Sequence, residues 1–166
     1  MKLFLTVGSQ LPFDRLAAAM DTWVAERDVP SQQVFGQIGP LRQGNYRPSA
    51  FPWTQLMDPK AFNTRFAQAS HIVAHAGMGT IISALVTGKP IVLLPRRGAL
   101  RETRNDHQLA TVRHFRDRPG VWVAETEDEL PEMIDEMLNS AEVARGRANM
   151  LADPDLTDAI RQAILA

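Results

Sequence analysis

The stretch "HIVAHAGMGTIISALVTGKPIVLLP", residues 71–95, decides the fold. "HIVAH" (71–75) is a short apolar run and reads as a strand. "GTIISALVTG" (79–88) reads as a helix, ended by Gly88 and blocked by Pro90. "PIVLLP" (90–95) reads as a further strand bounded by prolines. Gly77 and Gly79 stand where the first strand feeds the helix, with His75 at the entrance. Glycines so placed serve a sharp turn, or they let a phosphate approach the backbone.

The alternation continues outward. Upstream, "KLFLTVG" (2–8) is an apolar, β-rich run that reads as a buried strand. "PFDRLAAAMDTWVAER" (12–27) repeats Leu16, Met20, Trp23 and Val24 at helical spacing behind Pro12. "QQVFGQIG" (32–39) reads as a strand, and the Pro-rich, aromatic "YRPSAFPWTQLM" (46–57) as a loop with a short edge strand. "DPKAFNTRFAQAS" (58–70) carries an Asp-Pro cap signal and reads as a short helix.

Downstream, "RRGALRETRN" (96–105) is a basic loop, "NDHQLATVRHFRD" (105–117) a helix and "GVWVA" (120–124) a strand. "TEDELPEMIDEMLN" (126–139) reads as a helix with Thr126 and Glu129 at capping-box spacing. Small and charged residues break the pattern over 140–155, and "PDLTDAIRQAILA" (154–166) puts Leu156, Ile160 and Ile164 on one face of a last helix. The expected organisation is one domain over 1–139, then a linker and helix over 140–166 that packs on the domain or on a partner. Strands this apolar need cover on both faces, so the predicted fold is α/β, a Rossmann-like doubly wound, mostly parallel sheet. Ligands bind such sheets at the carboxyl ends of the strands.

The bulk properties agree. The chain has 166 residues, 45% hydrophobic and 22% charged, with a net charge of −1 and no cysteine. That is the size of one domain, without a global field to attract nucleic acid and without thiolate metal sites or disulfides. No basic helix interleaved with aromatics points to nucleic acid either. The apolar run after Lys2 is only about five residues, below the roughly 7–15 of a signal peptide, and no stretch reaches the ~20 of a membrane span. A cytoplasmic protein is expected, with any membrane contact peripheral and made through a partner.

Three loops fall on the ligand edge. In "TVGSQLPF" (6–13), Gly8 and Ser9 offer free N–H groups for an anion; a tight strand–helix turn is the plainer account. In "HAGMGT" (75–80), Thr80 can cap the helix or donate to a phosphate, and His75 is either satisfied inside the turn or turned to a ligand. A role for His75 as base lacks a visible carboxylate to orient it. In "LPRRGALRETRNDHQLA" (94–110), arginines stand at 96, 97, 101 and 104, suited to an anionic ligand or a lipid headgroup if not simply solvated. Asn105, Asp106 and Gln108 supply the donors and acceptors that sugar hydroxyls need, or an N-cap and ordinary polarity. No metal-ligand spacing and no GxSxG appear.

Taken together, "TVGSQLPFDRL", "HAGMGTIISALVTGKPIVLLP" and "RNDHQLA" resemble the C-terminal domain of family 28 glycosyltransferases over roughly residues 2–138. The chain looks like a stand-alone version of it. It is similar to the small catalytic subunit of the two-subunit UDP-GlcNAc transferase, and more so to the PssE-type subunits of bacterial exopolysaccharide assembly. The resemblance implies half of a GT-B enzyme, the half that binds a UDP-sugar donor. The acceptor half would be a separate, membrane-associated chain that brings a lipid-linked glycan.

Carried over by motif, Gly8 and Ser9 would lie at the donor diphosphate. His75, Ala76, Gly77, Met78, Gly79 and Thr80 would form a second phosphate loop, and Asn105, Asp106 and Gln108 would meet the sugar. The implied reaction is an inverting glycosyl transfer without metal or cofactor, in which dipoles at two helix N-termini stabilise the departing UDP. The base would come from the partner, with His75 the candidate here.

Two positions depart from the family pattern. Ser83 stands where relatives commonly carry the glutamate that holds the ribose, and "NDHQ" stands for D-N-H-Q. The forks of Arg96 and Arg97 suggest a donor with a carboxylate, UDP-glucuronic acid. UDP-GlcNAc is the alternative donor, and a non-catalytic, regulatory nucleotide-sugar-binding subunit is the alternative function, favoured by Ser83. A flavodoxin-like or receiver-type domain would leave "HAGMGT" and "NDHQ" unexplained.

Overall fold

The structure is a computed structural model that describes residues 2–140. The helix expected over 154–166, with its two alternative packings, lies outside the described residues. Six strands form one sheet: β1 (Leu3–Thr6), β2 (Val34–Gln37), β3 (Trp53–Thr54), β4 (His71–His75), β5 (Ile91–Leu94) and β6 (Val121–Val123). Their order is β3-β2-β1-β4-β5-β6, and every neighbouring pair is parallel. Among the described residues there are five α-helices, α1 (Asp14–Glu26), α2 (Pro59–Gln68), α3 (Met78–Val86), α4 (His107–Phe115) and α5 (Leu130–Asn139), the last following β6.

The central strands are mostly apolar, buried at Leu3–Leu5, Ile72–Ala74 and Ile91–Leu94, because both faces are covered. Leu3 and Leu5 of β1, Val73 of β4, and Val92 and Leu94 of β5 pack with Leu16, Met20 and Trp23 of α1 and Ile134 of α5. The alternate residues Phe4, Ile72, Ala74, Ile91 and Leu93 pack with Phe66 of α2, Ile81 of α3, and Val112 and Phe115 of α4. The period of two along each strand thus sorts side chains between two cores. Strand order reverses between β1 and β4, the place where loops diverge and open a crevice at the carboxyl edge.

Asp58 caps α2 by accepting from the Ala61 N–H at 2.9 Å, as the Asp-Pro pair suggests. The edge strand in 46–57 is β3, two residues long. The capping box is absent: Thr126 makes no side-chain cap bond, Glu127–Glu129 form a 3-10 turn, and the Glu129 carboxylate accepts from the Glu125 N–H at 2.8 Å. Thr80 is not a cap, because α3 starts at Met78 with Gly77 as its N-cap.

Sequence reasoning overlooked Asp21. It is 5% exposed on α1, and its carboxylate accepts from the N–H groups of Ser49 and Ala50 and from the Tyr46 hydroxyl. One acidic side chain therefore pins the Pro-rich loop to the sheet's flank.

Candidate functional site

A cleft of about 540 Å³ opens at the carboxyl edge over the β1–β4 crossing. One wall is Val7–Leu11 after β1. The second is His75, Gly77, Gly79 and Thr80 between β4 and α3. The third is Arg96, Glu102, Thr103, His107 and Gln108 after β5. Three loops far apart in the chain thus meet because parallel strands deliver them to one edge.

His75 ends β4 and its ring fills the space between two glycines. A Cβ on Gly8 (φ +82°) would lie 2.9 Å from the imidazole Cε1, and one on Gly77 would lie 2.2 Å from Nε2. Both glycines are required by this ring. Nδ1 of His75 is buried without a well-formed hydrogen bond. Burial first, then the Arg96 charge, pushes the His75 pKa down to about 4, against a weaker pull from the Thr6 backbone. The imidazole is therefore neutral near pH 7. So low a pKa makes it a weak general base there; what it offers a ligand is one N–H and one lone pair. Gly79 is different: a Cβ there would meet no protein atom within 4 Å, so packing does not demand glycine.

Of the two helix N-termini expected at the cleft, that of α3 is there and that of α1 is not; the first residues of α4, His107 and Gln108, line it as well. α3 begins at its floor, with Met78 and Gly79 N–H groups that have no intrahelical partner. α1 begins only at Asp14, beyond the cleft residues and with that acidic side chain in its first turn. The first loop contributes through residues 7–11, not through a helix end.

The third loop differs most from expectation. Arg96 is buried and donates to backbone carbonyls of Val7, Leu11, Pro12 and Glu102, so its fork is not available to a donor carboxylate. Arg97 donates from Nη2 to the Glu125 carbonyl at 2.7 Å and does not line the cleft. Both Glu102 oxygens meet Arg15, at 2.9 Å each, and Arg15 also reaches Glu127 and the Pro95 carbonyl. The basic loop is thus tied down from α1 and is no free charged strap.

Within "NDHQ" the roles are also redistributed. Asp106 accepts from the Gly98 N–H at 2.8 Å and holds the loop, while Asn105 sits against the His107 ring. Neither lines the cleft; His107 does, and it had not been singled out. Gln108, 5% exposed, accepts from the Arg96 N–H through Oε1 at 3.0 Å and leaves its amide nitrogen without a protein acceptor. Ser9 and Thr80 line the cleft. Ala76 and Met78 pack into the second core, and the Ser83 hydroxyl donates to the Gly79 carbonyl at 2.8 Å, outside the cleft. Among the described residues no cluster of three or more His, Asp or Glu could hold a metal, and no helix is long and apolar enough to cross a membrane.

Residues 2–162 match the family model of the glycosyltransferase family 28 C-terminal domain. The chain belongs to this family. Among curated relatives, this family 28 domain is 30% identical over 141 residues to the UDP-N-acetylglucosamine--N-acetylmuramyl-(pentapeptide) pyrophosphoryl-undecaprenol N-acetylglucosamine transferase of Paracidovorax citrulli, covering 82% of the chain and 38% of the relative. It is 32% identical over 101 residues to the enzyme of the same name from Granulibacter bethesdensis, covering 60% of the chain and 23% of the relative. The chain therefore spans well under half the length of these relatives.

Two solved structures share the fold. The family 28 domain superposes on Acinetobacter baumannii MurG with a TM-score of 0.62 at 19% identity, covering 96% of the chain and 49% of that one. For the glycotransferase of kitacinnamycin the values are 0.63 and 20%, covering 99% and 42%. The chain has the fold of one half of a GT-B glycosyltransferase.

Proposed function

We propose that this chain is the donor-binding half of an inverting UDP-sugar glycosyltransferase. A separate, membrane-associated chain supplies the acceptor half and a lipid-linked glycan, in lipid-linked oligosaccharide or exopolysaccharide assembly. The observation that carries the reading is the cleft itself. At the strand-order reversal it brings together the α3 N-terminus, the neutral His75 imidazole and the buried Arg96 charge, an arrangement suited to a diphosphate.

The acceptor hydroxyl attacks the anomeric carbon, the bond to the diphosphate oxygen breaks, and UDP leaves carrying the electron pair. This half of the enzyme meets the growing negative charge with fixed N–H groups that need no reorganisation. His75 donates a hydrogen bond to the diphosphate, and the base comes from the acceptor half. No metal or cofactor is assigned a step.

For the donor, UDP-N-acetylglucosamine is the first choice. The relatives named above carry that sugar in their names, the fork of Arg96 is occupied by carbonyls, and Arg97, which gives one N–H to the Glu125 carbonyl, does not line the cleft. A second reading, a regulatory subunit that binds nucleotide-sugar without turnover, draws on Ser83: its hydroxyl faces the Gly79 carbonyl, so this position offers no ribose holder.

Calorimetric titration with UDP, UDP-GlcNAc, UDP-glucose and UDP-glucuronic acid, with and without magnesium, tests the donor half. Metal-independent binding of one sugar nucleotide is expected. Transfer by the chain co-purified with its acceptor half separates the two readings, and absence of any UDP binding overturns both.

A further inference from the structure

The cleft wall contains a cation whose hydrogen-bond partners are all uncharged. Arg96 is 4% exposed. Nη1 donates to the carbonyls of Pro12 (2.8 Å) and Glu102 (3.2 Å), and Nη2 to those of Val7 and Leu11 (2.8 Å each). Its guanidinium lies 4.6 Å from the centroid of the Phe13 ring. Among the described residues it forms no ion pair. Glu102, the carboxylate whose charge reaches it, is paired with Arg15 and accepts from the Arg97 N–H. Burial pushes the Arg96 pKa down to about 10, far enough above neutrality to keep the charge.

A buried charge held only by dipoles is unfavourable unless another charge answers it. The neighbouring wall presents the N–H end of α3, while α1 begins beyond the cleft. Arginine is also the residue that can hold this loop. Four carbonyls on both sides of its planar fork are beyond the three donors of a lysine.

We infer that Arg96 is the positioning residue for the donor's diphosphate: its fork fixes the Val7–Pro12 loop, and its unanswered charge sets the cleft's affinity for the anion. The terminal nitrogens stay on their carbonyls throughout. This rests on the reading of the cleft as a diphosphate site.

The test compares the full chain with Arg96→Met and Arg96→Lys. Each is titrated with UDP and with uridine by NMR at low and high salt, and the His75 imidazole is followed through pH. In Arg96→Met the UDP affinity is expected to fall by about tenfold or more while uridine changes by less than about twofold, and the salt dependence of UDP binding weakens. The His75 pKa rises towards its ordinary value in Arg96→Met and stays low in Arg96→Lys. Equal losses for UDP and uridine, or unchanged UDP binding, overturn the inference.

If Arg96→Met does not fold, Arg96→Lys decides. It should keep the UDP-to-uridine preference within about threefold of the parent, since the charge remains, and a collapse of that preference overturns the inference. A parent chain that binds uridine and UDP equally, or neither, overturns the diphosphate reading itself. A parent that prefers UDP beside an Arg96→Met variant that keeps the same preference overturns only the role of Arg96.

Discussion

The Cβ that Gly77 lacks would stand 2.2 Å from Nε2 of His75, so the glycine and the imidazole occupy one space. The two residues are a unit, and neither is free to vary alone. Gly77→Ala should displace the ring and cost about 1–3 kcal/mol of stability, the usual penalty for an overpacked interior. In a His75→Ala background the same change should cost far less. A double-mutant cycle read by urea unfolding measures this coupling.

Gly79 should behave in the opposite way. No protein atom lies within 4 Å of a Cβ placed there. Gly79→Ala is expected to leave stability unchanged or raise it by up to about 1 kcal/mol, since alanine favours the helix. UDP affinity should nevertheless fall, because the added methyl stands at the helix end where the phosphate approaches. A thermal melt and a UDP titration on the same sample check both halves of the expectation.

The depressed pKa of His75 makes stability depend on pH with a definite sign. Unfolded, the ring takes its proton near 6.5; folded, only near about 4. Between these values the unfolded chain binds more protons, so stability falls as pH is lowered from about 6.5 to about 4 and levels off below, by an amount on the order of 3 kcal/mol. Urea unfolding across this range should show the loss in the parent and a smaller one in His75→Gln.

Arg15 and Glu102 form a two-pronged pair with side chains only 10% and 14% exposed. Removing either leaves a sheltered charge without its partner. Arg15→Met and Glu102→Gln should each cost about 2–3 kcal/mol, and the double variant less than their sum. Unfolding of the four proteins in a cycle gives the coupling.

Tyr46 is the chain's single tyrosine. Its pKa is pushed up to about 12 by burial and by its hydrogen bond to the Asp21 carboxylate. Replacing the acid by Asp21→Asn should bring phenol ionisation back towards 10, read directly by ultraviolet difference absorbance. An unmoved titration would show that Asp21 does not govern it.

The sheet could be read from the sequence because β1, β4 and β5 are covered on both faces and so are apolar at most positions. Gly8, Gly77 and Gly79 marked the cleft because turns at strand ends carry a local signature. The fate of Arg96 could not be read. Three of its four acceptors are backbone carbonyls from a loop more than eighty positions earlier, and a carbonyl leaves no trace in the residue alphabet. Glu102 was passed over for the same reason, since its partner Arg15 belongs to another element. For His107 a signal existed: it lies inside the quartet from which its three neighbours were chosen. The capping box at Thr126 failed because local spacing competed with a 3-10 turn that the spacing cannot show.

Because every strand of the sheet runs the same way, the edge opposite the cleft is made of the connections that enter the strands. Asp117 is exposed in the turn between α4 and β6, on that edge. The chain contains no cysteine. A single thiol installed as Asp117→Cys would thus be the molecule's only handle for a dye or a sensor surface, and a protein tethered by it would stand with its cleft facing outward into solution.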